Sequence, residues 1–252
     1  MRAATSSEIV LVVQTMRSAS DSYFARIAPA GRSTRPDHPG GSPARWGRRP
    51  TPGAYAIESR ATGVEFDTGT WRTELQSSRD RKDEQFGSSR QSPIPPDERE
   101  AFDGLSYFEP DPAYRVEATV ERVDGDEPVT METSTAGEQL YRRAARLQFE
   151  VPDADGEPTR ATLVAYQRVD EADSGSLFVP FRDKTTGQQT YPGGRYIELH
   201  YDEELADGAE IPLDFNLAYS PFCAYSEAYE CPLPPRENWL EVAIPAGERY
   251  EG

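Results

Sequence analysis

The sequence predicts a mainly β fold, an antiparallel β-sandwich or barrel of about eight strands with one or two N-terminal helices. Three observations lead there. From Tyr114 onward apolar residues alternate with a period of two. The alternating runs are short and are separated by Gly, Asp and Pro turns. A helical period occurs only ahead of them, between residues 70 and 104.

Residues 70–86 (TWRTELQSSRDRKDEQF) read as an amphipathic helix. Trp71, Leu75 and Phe86 fall in a narrow arc at about 100° per residue. Thr70 is suited to cap its start and Gly87 to stop it. The SPIPP stretch at 92–96 then breaks the chain. A second, short helix is expected after it, with Pro96 near its first position and Gly104 past its end. The first strand holds Tyr114, Val116, Ala118 and Val120 on one face. The Asp124-Gly125 turn leads to a second strand near 128–134. The third, 140–151, turns Ala145, Leu147, Phe149 and Val151 to one side. Asp155-Gly156 starts the return along a fourth, 160–169. The fifth, 176–182, is apolar on both faces through Leu177, Phe178 and Val179. The remaining strands are expected at 195–201, 211–217 and 239–244.

Charge divides the chain. Residues 1–60 carry nine Arg against four acids, whereas the whole chain of 252 residues has a net charge of −17. Segment 29–53 consists largely of Pro, Gly, Arg and Ser without hydrophobic period, and is expected to be disordered. Residues 1–63 are therefore read as a basic extension and 64–252 as a single β-rich domain. The extension is either an arm for an anionic partner or the product of an upstream start codon chosen in error. Its foreign composition favours the second. Its apolar stretch, Ile9 to Val13, is shorter than the ~7–15 residue core of a signal peptide, so a cytoplasmic protein is expected.

The acidic balance argues against a nucleic-acid partner, because phosphates are bound by basic surfaces. No apolar run approaches the ~20 residues that cross a bilayer. Only two of the 27 basic residues are Lys, namely Lys82 and Lys184. Acids dispersed over the whole domain, with so little Lys, suit a protein that works in molar salt, where the screening length falls to ~3 Å.

The segment 176–248 is unusual for a plain β domain. It contains LFVPFRD (177–183), TYPGGRYIEL (190–199), LDFNLAYSPFCAYS (213–226) and CPLPPRENWL (231–240). Upstream stand WR (71–72), KDEQF (82–86), SPIPP (92–96) and YRVEA (114–118). Together these motifs resemble the bacterial and archaeal family called domain of unknown function 1684, in a haloarchaeal-type member, over roughly residues 70–248. Ser220, where the family often has Asn, and Pro192 are small departures. The resemblance implies no established activity and leaves any cofactor unknown.

The residues themselves point to a candidate ligand site at the ends of the fifth to seventh strands. Arg182 and Arg195 each follow an apolar strand or a Gly-Gly turn, and two guanidinium forks suit a carboxylate or phosphate. With Leu213 and Phe215 turned to the core, Asp214 and Asn216 share the opposite face. Tyr196 and Tyr219 complete the candidate set. The competing reading makes Arg182–Asp183 and Arg195–Asp214 ion pairs that pin a loop. The aromatics from Tyr191 to Tyr229 either line a pocket or form the core beneath that loop, the commoner arrangement. Cys223 and Cys231 admit four readings: buried inert side chains, a disulfide or redox pair, a metal site, or a nucleophilic Cys223. A metal would need further ligands and a nucleophile would need a base. Phosphate-loop, dinucleotide, nucleophile-elbow and zinc-protease motifs are absent. The resulting expectation is a β domain that binds a small anionic molecule. The alternatives are a hydrolase or transferase using Asp214 and Cys223 as catalytic groups, and an interaction module without a ligand.

Overall fold

Asp67 starts the long helix of the described residues. Its carboxylate accepts hydrogen bonds from the Gly69 and Thr70 amides and from the Thr70 hydroxyl, at 2.9, 3.4 and 2.7 Å. Helix α1 accordingly spans Thr68–Ser88, two residues earlier than expected, with Asp67 rather than Thr70 as its cap. This computed structural model describes residues 66–123, 127–169, 176–200 and 205–251. The extension boundary at residue 63 and the Asp124-Gly125 turn lie outside the described residues.

The buried stripe of α1 is Trp71, Leu75, Arg79, Lys82 and Phe86, spaced as one helical face. Its two ends are apolar as expected, and its middle carries two cations. The second expected helix is reduced to one 3-10 turn, Arg99–Ala101. There the Arg99 side chain donates to the Ile94 carbonyl at 2.8 Å, holding the Pro-rich stretch closed on itself.

Among the described residues seven strands follow: β1 Arg115–Arg122, β2 Val129–Glu132, β3 Glu138–Pro152, β4 Pro158–Arg168, β5 Ser176–Phe181, β6 Arg195–His200 and β7 Glu210–Asp214. They form one antiparallel sheet in the order β6-β5-β4-β3-β1-β7, with β2 paired to β3. The fold class is the expected one, mainly β with one main helix, in the form of a curled half-barrel. Among the described residues its two edges are tied by a bridge. Just beyond β7, Tyr219 exchanges both backbone hydrogen bonds with Tyr196 of β6, at 2.9 and 3.0 Å. That bridge covers part of an otherwise unpaired edge.

The third strand buries Ala145, Leu147, Phe149 and Val151 in alternation. A bulge between Arg143 and Ala145 then reverses the sense, so that Tyr141 joins Met131, Val164 and Tyr166 on the other face. The β3–β4 turn is closed by Asp153, whose carboxylate accepts the Asp155 and Glu157 amides at 2.9 and 3.0 Å. Leu163, Leu177, Val179, Phe181, Ile197, Leu213 and Phe215 fill the concave side.

The eighth expected strand, 239–244, is not part of the ladder. It runs beside residues 182–184 through a Leu240 N–H to Arg182 bond of 2.7 Å and a Lys184 N–H to Val242 bond of 3.0 Å. The Asp183 carboxylate takes the Ile244 N–H at 2.7 Å, so a side chain replaces the next rung. Leu240, Val242 and Ile244 nonetheless belong to the core. No helix among the described residues is long and apolar enough to cross a membrane.

Candidate functional site

The Gly-Gly turn before β6 delivers Arg195 into the interior. Gly194 has φ +92, and a Cβ there would lie 2.7 Å from both the Phe181 carbonyl and Pro234. Only glycine meets both requirements. The following residue, Arg195, is 1% exposed. Its guanidinium donates to the Ile244 carbonyl at 2.8 Å, to Glu248 at 3.3 Å and to Ala246, and pairs with Asp183 at 3.4 Å. It also lies over the Phe181 ring, 5.2 Å from its centre. Burial pulls the Arg195 pKa down, and the neighbouring Asp183 opposes the shift. Asp183 is in turn held by the Thr185 hydroxyl at 2.8 Å and the Ile244 amide. The two terminal nitrogens of Arg195 are thus partnered while its Nε has no hydrogen-bond partner, and a buried charge depends on such partners.

Asp214 ends β7 and caps the 3-10 turn Phe215–Leu217. It accepts the Asn216 amide and the Asn216 side-chain N–H, both at 2.9 Å, and the Trp71 indole N–H at 2.7 Å. Arg115, not Arg195, is its basic neighbour, at 3.9 Å. Asn216 reaches further. Its amide group donates to the Asp111 carbonyl at 2.8 Å and accepts the Asp111 N–H at 2.9 Å. Asp214 and Asn216 therefore do meet, and they join α1, β7 and the segment before β1.

The other expected residues are spread along the same end of the barrel. Arg182 stacks over the Trp239 ring at 4.9 Å and takes no part in the Asp183 pair. The Tyr196 hydroxyl donates to the Pro232 carbonyl, and the Tyr219 hydroxyl to Glu198 at 3.1 Å. Burial raises the pKa of both tyrosines. Cys223 and Cys231 are close together, the Cys223 amide donating to the Cys231 sulfur at 3.3 Å. Among the described residues no group of three or more His, Cys, Asp or Glu is arranged to hold a metal.

A second buried pair went unread in the sequence. Lys82 of α1 contacts Glu248, and the two side chains are 7% and 2% exposed. The other Glu248 oxygen accepts the Ser220 amide at 2.8 Å and the Tyr225 hydroxyl at 2.9 Å. One turn earlier, Arg79 lies over the Tyr107 ring at 4.4 Å and donates to the Phe108 carbonyl at 3.0 Å. Its Nε and Nη2, and the Tyr107 hydroxyl, are buried without a hydrogen-bond partner. Burial lowers the Arg79 pKa and raises that of Tyr107. The signal available was position: Arg79 and Lys82 continue the arc of Trp71 and Leu75.

These networks frame a cleft of about 570 Å³ lined in part by Arg72, Tyr107, Asp111, Tyr114, Pro245 and Arg249. Asn216 holds its Asp111 wall, Arg195 holds the 244–248 wall, and Lys82 anchors that wall to α1. Arg72 and Arg249 stand on the exposed side, with Arg249 over the Phe108 ring at 5.5 Å. Arg72 belongs to the WR pair already singled out, whereas nothing local in the sequence marks Arg249.

Comparison with known proteins agrees with the motifs. Residues 100–249 match a family described as "Protein of unknown function (DUF1684)". The chain is also similar to an uncharacterised protein of Haloarcula marismortui, whose structure was determined by solution NMR. The two are 59% identical, with a TM-score of 0.56, over 73% of this chain and 96% of the other. No curated protein matches the chain.

Proposed function

The chain belongs to the DUF1684 family of proteins of unknown function, and from that premise and the geometry of the barrel end we propose that it is a binding domain for a small anionic molecule. The anion sits in the cleft between α1, residues 107–114 and residues 245–249. Arg72 and Arg249 contact it directly. The supporting observation is the pairing of an open concave surface with two exposed arginines in a chain whose net charge is −17. Guanidinium forks recognise carboxylates and phosphates in two-pronged fashion, and here Arg72 and Arg249 supply the forks in a cleft that Glu109 and Asp111 also line.

On this reading the family motif acts mostly from behind. Arg195, Asp183, Asp214 and Asn216 bond to protein partners and fix the cleft walls, while Tyr196 and Tyr219 tie the barrel edges. The Tyr107 hydroxyl and the unpartnered Arg79 nitrogens supply hydrogen-bond capacity behind the cleft floor.

Thermal unfolding with inorganic phosphate and with citrate, at constant total ionic strength, tests the proposal. Holding ionic strength constant separates binding from general screening. Ligand at 100 times its dissociation constant stabilises by about 2.7 kcal/mol, a shift of several degrees. The shift should disappear in the Arg72→Gln/Arg249→Gln variant. Equal melting of the parent with and without both anions would point instead to an interaction module without a ligand.

A further inference from the structure

We propose that Cys223 and Cys231 form a peroxide-reactive thiol pair, in which Cys223 attacks the oxidant and Cys231 resolves the product as an intramolecular disulfide. The two cysteines are held differently. Cys231 is 5% exposed and lies on a segment clamped to the β2–β3 hairpin. Its carbonyl accepts the Ser134 amide at 2.9 Å, its amide donates to the Ser134 hydroxyl at 3.2 Å, and the next residue, Pro232, bridges Thr133. Cys223 sits on the short turn Phe222–Ala224 and is half-buried. Its backbone amide points at the Cys231 sulfur, 3.3 Å away. On its other side the Tyr191 hydroxyl lies 3.7 Å from the Cys223 sulfur and 3.3 Å from its carbonyl oxygen.

This arrangement suits sequential thiol chemistry. The side-chain hydrogen bond with Cys231 and then that from Tyr191 pull the Cys223 thiol down to about 6, against the opposing effect of burial. Cys223 is then a thiolate at neutral pH, the form that reacts with peroxides. In the first step the thiolate sulfur attacks one oxygen of hydrogen peroxide. The O–O bond breaks, hydroxide leaves, and Cys223 becomes a sulfenic acid. In the second step the Cys231 sulfur attacks the Cys223 sulfur, and the S–O bond breaks. The departing hydroxyl takes the Cys231 proton and leaves as water. The balance is two thiols and one peroxide giving one disulfide and two waters.

The crosslink closes a loop that also packs on α1. Phe222 and Tyr225 meet the Phe86 ring edge-on, with centres 6.0 and 5.2 Å away, and Tyr225 donates to Glu248. Oxidation therefore acts on the loop that covers the C-terminal end of the helix.

The test treats the full chain under native conditions with hydrogen peroxide, alkylates the remaining thiols, and maps them by mass spectrometry. Both thiols should be lost together, with a mass decrease of two hydrogens, a linked Cys223–Cys231 peptide, and full recovery in dithiothreitol. In Cys231→Ala, checked for folding by circular dichroism, dimedone should label Cys223. Alkylation of both thiols after peroxide, a disulfide between two copies, or irreversible oxidation of Cys223 beside reduced Cys231 would each overturn the proposal. The parent measurement stands without any variant.

Discussion

At the scale of single residues, the interior of the barrel end is set by buried charges paired with one another. Arg195 and Asp183 are both fully enclosed, so removing one strands the other. Arg195→Gln should destabilise the domain by about 3–5 kcal/mol, read from chemical unfolding, and anion should not restore it. A loss near the ~0.5 kcal/mol of an ordinary surface change would contradict a structural role for Arg195. The sequence shows both residues but not their pairing. Arg182 stands next to Asp183 in the chain, yet successive side chains of an extended segment point to opposite faces. Arg195 reaches Asp183 from the neighbouring strand, where Phe181 is registered with Arg195.

Among elements, α1 is legible from its apolar ends, whereas the buried cations in its middle are not. A cation inside a buried stripe lowers every hydrophobic average, and its anionic partner, Glu248, lies far along the chain in an irregular segment. The eighth strand was misread for a related reason. Residues 239–244 carry strand-like apolar alternation, and they are buried as a strand would be. Their backbone partners are isolated bonds and the Asp183 side chain, which periodicity does not report. The Lys82–Glu248 linkage can be measured by a double-mutant cycle with Lys82→Met and Glu248→Gln. Lys82→Met alone leaves a buried carboxylate unpaired and should lose about 3–5 kcal/mol. The pair should show a coupling above about 1 kcal/mol, whereas independent sites add within roughly 0.5 kcal/mol. Gly247 belongs to the same segment. Its φ of +81 and the Ala218 carbonyl 2.5 Å from any added Cβ make Gly247→Ala destabilising, with proteolysis at 244–251 its expected signature.

For the molecule as a whole, the core follows from the period-two pattern, because that pattern fixes which face is buried, whereas the strand order and the curl do not. The cleft does not follow from it. It is assembled from three stretches far apart in the chain, and none of them has a motif for anions. Charge is the global property that composition states most directly. Dispersed acids on a domain similar to a Haloarcula protein fit a molecule adapted to salt. Lowering potassium chloride from molar to millimolar should lower the melting temperature, because self-repulsion is then unscreened. A melting temperature independent of salt would argue against adaptation.

The central claim is that the motif residues frame a cleft whose exposed arginines bind an anion, and amide chemical shifts report it most directly. A titration of the ¹⁵N-labelled full chain with inorganic phosphate at constant ionic strength should saturate. Shifts should be confined to residues 71–73, 107–111 and 245–249, and should vanish in the Arg72→Gln/Arg249→Gln variant. A linear, non-saturating response, or saturable shifts centred elsewhere on the barrel, would contradict the account.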